Sequence, residues 1–270
     1  MTPPPETPRS ETTRPHPMLH VEREGRLVVL TLEDPSHLNA QTPSLWSALA
    51  QVGRGLGPDV GVVIVRGAGS SFSAGLDRRM FTPDGVPGET SLPALARSGA
   101  ASLEESISGF QEGFTVWGSV PAVTIAAVQG HAIGAGFQLA LACDLRVAAD
   151  DVAFSMKETS LGLVPDLGGT APLVRQVGYA RALEICATGR LVHADEAVRL
   201  GLAQLAVPRD DLDATTRDLA DAILEAPQAA LRELKPLLRN AVDAPGADQC
   251  AAERAAQSRL LTAMAAEQGK

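Results

Sequence analysis

Three short runs of β-branched and small apolar residues, at positions 60–66, 123–128 and 145–149, most constrain this chain. Each is too short for an ordinary helix and fits a buried strand. Segments with helical character separate them. Thr42 and Pro43 open one, because Thr suits an N-cap and Pro the first helical turn. Others are predicted at residues 95–117 and 135–143. Upstream, apolar and polar residues alternate over 19–33 around Glu24-Gly25, a hairpin signal. Residues 35–40 read as a turn and 67–81 as a Gly/Ser-rich loop. From Thr170 onward the pattern is mostly helical, broken by a strand-like stretch at 203–207. Residues 217–224, 228–240 and 247–266 are amphipathic. Strands alternating with helices predict an α/β fold with a helical C-terminal third.

The 270 residues suffice for one sizeable core. A hydrophobic content of 45% with 20% charged residues is that of a globular protein. A formal charge of −9 and an aromatic content of 3% argue against nucleic-acid binding, which needs clustered cations and stacking surface. The three cysteines, Cys143, Cys186 and Cys250, are scattered, odd in number and without metal-ligand spacing. A reducing, cytoplasmic setting is therefore expected, with no disulfide framework and no metal. The five histidines show no ligand spacing either, and a structural role is expected for His131. No run reaches the roughly 18 apolar residues of a membrane span. Residues 1–17, rich in Pro, Thr and charge, have no apolar stretch of the signal-peptide kind and are predicted to be a disordered tail. The expected organisation is this tail, a core over 18–207 carrying the active site, and a C-terminal helical region over 208–270.

Three segments carry the chemistry: Phe72-Ser-Ala-Gly-Leu-Asp77, Gly130-His-Ala-Ile-Gly-Ala-Gly-Phe-Gln-Leu-Ala-Leu-Ala-Cys-Asp144, and Phe154-Ser-Met-Lys-Glu-Thr-Ser-Leu-Gly-Leu-Val-Pro-Asp-Leu-Gly-Gly-Thr170. Taken alone, Gly134-Ala-Gly136 reads as tight helix–strand packing. In order and at these separations, the three segments resemble the active-site core of the crotonase (enoyl-CoA hydratase/isomerase) superfamily. The resemblance spans the chain from Leu19 onward. It implies a spiral of β-β-α turns forming two roughly perpendicular sheets, with C-terminal helices covering the pocket. It also implies an acyl-CoA substrate, CoA arriving as part of that substrate with no separate cofactor, and assembly as a homotrimer or dimer of trimers. Residues 82–99 and the helix after them are expected to shape the acyl pocket.

The resemblance further implies an oxyanion hole of two backbone N–H groups, mapping to Leu76 and Ala135. Glycines let a thioester carbonyl approach the main chain, and a helix start offers unpaired N–H groups. Ala74, Asp77, Arg78, Gly134 and Gly136 surround these amides in sequence and are the expected substrate and CoA contacts. Asp77 also has a plain structural reading, as a turn-closing acceptor. Arg78 and Arg79 suit CoA phosphates or a solvated surface equally.

Hydratases of the family use two glutamates to activate one water, mapping to positions 138 and 158. Here Glu158 is present, and Gln138 stands in the other place. An amide orients but does not exchange a proton at working pH. A single carboxylate suits double-bond isomerisation, which takes a proton from C2 and returns one to C4. Glu158 is the expected base, its pKa raised if Leu161, Leu163, Val164 and Phe137 surround it. A surface Glu beside Lys157 is the plainer reading. Asp166 resembles the aspartate that dienoyl-CoA isomerases place eight residues after their glutamate; alternatively it caps the helix entered at 168–170. Three functions follow: a 3-enoyl- or dienoyl-CoA isomerase, a 2-enoyl-CoA hydratase using Glu158 and a bound water, or an acyl-CoA binder without chemistry.

Overall fold

A computed structural model describes residues 11–268. In chain order the first elements are β1 (Glu11–His16), β2 (Leu19–Glu24), β3 (Leu27–Leu32), α1 (Pro43–Gly55) and β4 (Val62–Gly67). Next come α2 (Leu92–Arg97), α3 (Ala100–Ser119), β5 (Val123–Val128), β6 (His131–Ile133), α4 (Ala135–Ala142), β7 (Leu145–Ala149) and β8 (Ala153–Ser155). The remainder is α5 (Thr170–Val177), α6 (Tyr179–Thr188), β9 (Val192–His193), α7 (Ala194–Arg199), β10 (Leu205–Val207), α8 (Leu212–Leu224), α9 (Gln228–Ala241) and α10 (Gly246–Gln268). Among these residues, no helix is long and apolar enough to cross a membrane.

Seven strands form one sheet in the order β1-β2-β3-β4-β5-β7-β10, and three form a second, β6-β8-β9. The hairpin of β2 and β3 turns at Gly25, whose φ of +61° suits glycine. From β3 to β10 the large sheet is parallel. Its two faces follow the two-residue period of a strand. Val28, Leu30, Val63, Val65, Ala126 and Val128 belong to the main core with α1, α3 and α4. Leu27, Val29, Val62, Ile64, Ile125 and Ala127 pack on the other face with Leu212 and Ala220 of α8. Strands covered on both sides carry no regular polar alternation, which is why the runs read as mostly apolar.

The α/β class, the second sheet and the C-terminal helices agree with the expected fold. Four sequence readings are corrected. The predicted disordered tail is partly a strand: β1 pairs antiparallel with β2, and the tail's first ten residues lie outside the described ones. Its polar sequence suits an exposed sheet edge, where pairing needs only backbone. The single helix expected over 95–117 is two, broken at Gly99, whose φ of +92° is outside any helix. The short strands β6, β8 and β9 were absent from the pattern, because two or three residues cannot display a period. Asp166 does not cap α5, whose N-cap is Gly169 and which has no side-chain cap.

A buried ion pair ties α9 to the sheet. Lys235 Nζ lies 2.7 Å from Asp144 Oδ2 and donates to the carbonyls of Trp117 (3.1 Å) and Ala122 (2.8 Å). Buried Arg146 is likewise satisfied, donating to the carbonyls of Ala140, Cys143 and Leu202. Both of these buried cations have their partners, as burial requires.

Candidate active site

The second sheet presses the end of β6 against the loop that follows β4. Ser73 N–H donates to His131 O (2.9 Å) and Ile133 N–H donates back to Ser73 O (3.0 Å). On its other side the loop is pinned to the turn before α1. Ala74 N–H donates to Leu38 O (2.8 Å), Gln41 N–H to Gly75 O (2.7 Å) and Asp77 N–H to Gln41 O (2.9 Å). Phe72 N–H reaches Gln129 O, and Gly75 N–H reaches Ser73 Oγ at 3.1 Å. Among the described residues, the amides of this loop from 72 to 77 all have acceptors except that of Leu76.

The facing segment repeats this. Gly134 N–H donates to Ser155 O at 2.8 Å, and Ala135 is then the first residue of α4. The leading amides of a helix have no intrahelical acceptor. Two glycines bring the segments together. A Cβ on Gly75 would fall 2.4 Å from Ile133 O and 3.5 Å from Ala135 N, and one on Gly136 would fall 2.5 Å from Ser73 O. Gly75 and Gly134 also hold φ values of +86° and +52°. The result is two uncommitted N–H groups from adjoining loops beside one cavity, a geometry suited to an oxygen carrying developing negative charge.

That cavity has a volume of 1230 Å³. Trp46, Leu92 and Ala96 line it together with Leu103, Ile107 and Phe110, so α2 and α3 supply much of its apolar wall. Its polar lining includes Gln138, Glu158 and Asp166. His37, Arg78, Arg79, His131 and Lys157 add basic groups.

Glu158 opens a 3₁₀ turn (Glu158–Leu161) after β8 and is half-buried. Its Oε1 accepts from Gln138 Nε2 at 2.7 Å, while Oε2 is buried without a partner among the described residues. Burial pushes its carboxyl above the ordinary range; the Gln138 hydrogen bond opposes this and the Asp166 charge adds to it. The expected apolar surround is looser than the sequence implied. Leu161, Leu163 and Val164 line the cavity yet are 60%, 45% and 68% exposed. Phe137 lies in the core against Phe154, with ring centroids 4.9 Å apart. Lys157 is exposed at the cavity and makes no ion pair with Glu158 among the described residues.

Gln138 is fully buried on α4. Its Oε1 accepts from the main-chain N–H groups of Leu167 (2.9 Å) and Gly169 (3.2 Å). Only an oxygen accepts two N–H donors, so its NH₂ faces Glu158. Asp166 immediately precedes these anchors and is held through its own carbonyl by Gln111 Nε2 at 2.7 Å. Burial raises its carboxyl pKa too. Asp77 accepts from Arg79 N–H (2.9 Å) and pairs with the Arg79 guanidinium (2.6 Å), closing the turn over 78–81. Arg79 is thereby engaged, while Arg78 stays exposed at the cavity. Ala74, Gly134 and Leu76 line the cavity with Ala135; Gly136 does not, and packs on Ser73 behind it.

Sequence reasoning missed the supports. Asn39, at φ +53°, donates from Nδ2 to the carbonyls of Ala68 and Ser71, both at 2.8 Å. Gln41 accepts from Trp46 Nε1 (2.7 Å) and donates to Ser73 Oγ (3.0 Å), which in turn donates to Asn39 O (2.7 Å). Their one sequence signal was Asn at the end of a turn, a residue that tolerates left-handed φ.

Known proteins share this chain's sequence and fold. Residues 22–269 match the family model for enoyl-CoA hydratase/isomerase. The chain is 33% identical over 228 residues to the "Probable enoyl-CoA hydratase echA8" of Mycobacterium bovis, covering 83% of this chain and 81% of the relative. It is also 33% identical over 230 residues to the carnitinyl-CoA dehydratase of Escherichia coli, covering 84% and 82%. Among solved structures, the "putative enoyl-CoA hydratase" of Thermobifida fusca YX in complex with acetoacetyl-CoA superposes with a TM-score of 0.87 at 43% identity, over 91% of this chain and 95% of that one. The chain belongs to the enoyl-CoA hydratase/isomerase family and is an enzyme of that type.

Proposed function

We propose that this enzyme moves a double bond in an acyl-CoA thioester, with Glu158 as the proton shuttle. One observation carries the reading: of the two side chains that meet at the site, one is a carboxylate with a free buried oxygen and the other is an amide. Glu158 Oε2 takes the proton from C2 of a 3-enoyl-CoA. The electron pair delocalises onto the thioester oxygen, which the N–H groups of Leu76 and Ala135 receive. The dienolate then takes the proton back at C4, leaving the double bond between C2 and C3. A raised pKa suits Glu158 to both halves of this exchange, because it makes the carboxylate a stronger base and lowers the cost of holding the proton between them. Asp166 lines the same cavity with its carboxyl biased toward the protonated form, as a donor to the far end of a dienoyl substrate requires. CoA enters as part of the substrate, and the acetoacetyl-CoA complex of the Thermobifida protein supports this substrate class.

Hydration is the second reading, favoured by the names of the relatives, most of them hydratases. Water held between Glu158 Oε2 and the substrate would add across a 2-enoyl-CoA, with an amide in place of a carboxylate at position 138 and Asp166 in the same cavity to help place the water. Rates with 3-enoyl-CoA and 2-enoyl-CoA, measured side by side, separate the two. Isomerisation well ahead of hydration supports the shuttle, and the reverse ratio overturns it.

We propose a homotrimeric assembly, or a dimer of trimers, through the C-terminal helices. Leu234 and Leu238 on α9 and Leu261 and Met264 on α10 are 48–62% exposed, and Ala256 is the buried residue of α10.

A further inference from the structure

The amide at position 138 has a defined direction, and that direction has chemical consequences for Glu158. Main-chain donors at Leu167 and Gly169 hold Gln138 Oε1, so Nε2 meets Glu158 Oε1 at 2.7 Å. Gly169 permits the approach: a Cβ there would lie 2.7 Å from Gln138 Cγ and 3.0 Å from its Oε1. The residue therefore links the 3₁₀ turn bearing Glu158 to the segment bearing Asp166. A carboxylate oxygen that accepts from an amide donor is a poor place for a proton, because the donor hydrogen already fills the line between the two atoms. Oε2 has no such neighbour.

We infer that Gln138 is a positioning residue that reserves Glu158 Oε2 as the one oxygen through which the proton leaves and returns. This rests on the proposed base role of Glu158 and adds which oxygen acts and what selects it. Nothing is consumed in the step: the proton leaving C2 is bonded to Oε2 until it is transferred to C4, and the Gln138 N–H···Oε1 contact persists throughout. The other ionisable groups around Glu158 are Asp166 before α5, Cys186 on α6 and the exposed Lys157. None of these changes when position 138 is substituted.

Gln138→Leu removes the donor and both acceptor contacts. Gln138→Glu keeps the shape and the two main-chain donors but points a carboxylate oxygen at Glu158 Oε1. Like charges at this distance cannot both ionise without a shared proton. The test measures the pH profile of kcat/KM for acyl-CoA turnover in the parent, Gln138→Leu, Gln138→Glu and Glu158→Gln, with far-UV circular dichroism confirming the fold of each. The acid limb should move to higher pH in Gln138→Leu and further still in Gln138→Glu. In Gln138→Leu kcat should fall about 10²-fold, the cost of a roughly 1 Å misplacement of a reacting group. Gln138→Glu, being isosteric, carries the test if Gln138→Leu does not fold. An acid limb that stays put in the folded variants, while Glu158→Gln is inactive, overturns the role of Gln138 and leaves the base intact. Parent-like turnover in Glu158→Gln overturns the base itself.

Discussion

Substituting Leu76 or Ala135 tests the oxyanion amides poorly, because both act through the main chain. Gly75→Ala does better, since it alters neither carboxylate and neither amide yet forces the two loops apart. Alanine at a φ of +86° is strained by about 1–2 kcal/mol. Its Cβ would sit 2.4 Å from Ile133 O, roughly 1 Å inside van der Waals contact. Relief comes by moving the Leu76 amide away from β6 and from Ala135. A donor lost from an oxyanion site costs about 3–4 kcal/mol, or a 10²- to 10³-fold drop in kcat. Gly25→Ala is the control, because it sits in the β2–β3 turn at φ +61° with nothing within 4 Å of the added carbon. That variant should lose about 1–2 kcal/mol of stability in a denaturant melt and keep its kcat. Gly75→Ala should lose at least as much stability and, in addition, two to three orders of magnitude in kcat with a smaller change in KM. Parent-level kcat in a measurably destabilised Gly75→Ala enzyme would refute the argument, since the loops would have parted without chemical consequence.

Glu158→Gln should be inactive yet more stable than the parent near neutral pH. The folded-state pKa of Glu158 is raised, so its contribution to stability is complete below the ordinary value of 4.5 and is lost as pH rises through the folded value. Thermal melts should therefore favour the variant increasingly toward neutrality; a constant offset at all pH values would contradict this. Lys235→Met should cost about 3 kcal/mol in a urea melt, because it leaves Asp144 and two buried carbonyls short of a partner; a neutral result would mean that α9 is held by other contacts. Leu238→Glu, on the exposed face of α9, should reduce the molar mass seen by light scattering from three or six subunits toward one; an unchanged mass would place the interface elsewhere.

Much of the scaffold was readable residue by residue. The runs at 123–128 and 145–149 are β5 and β7 to the residue, and Thr42 caps α1 through Leu45 N–H as its hydroxyl and the following proline foretold. Strand and helix signals of that kind are local: they depend on side chains within one turn or one pleat. The second sheet was not readable, since β6, β8 and β9 are held by pairing across the chain rather than by any preference of their few residues. Nor was the pairing of β1, whose polar residues gave no hint of sheet membership.

The site divides in the same way. Sequence alone determined the chemical inventory: a carboxylate at 158, an amide at 138, a second carboxylate at 166, and glycines at 75, 134 and 136 in segments resembling one family. Which way the Gln138 amide points and which Glu158 oxygen is left free were decided by the tertiary structure. The reason is physical. A side chain's type is written at its own position, but hydrogen-bond direction and desolvation depend on every donor, acceptor and apolar surface that distant segments bring to within a few ångströms.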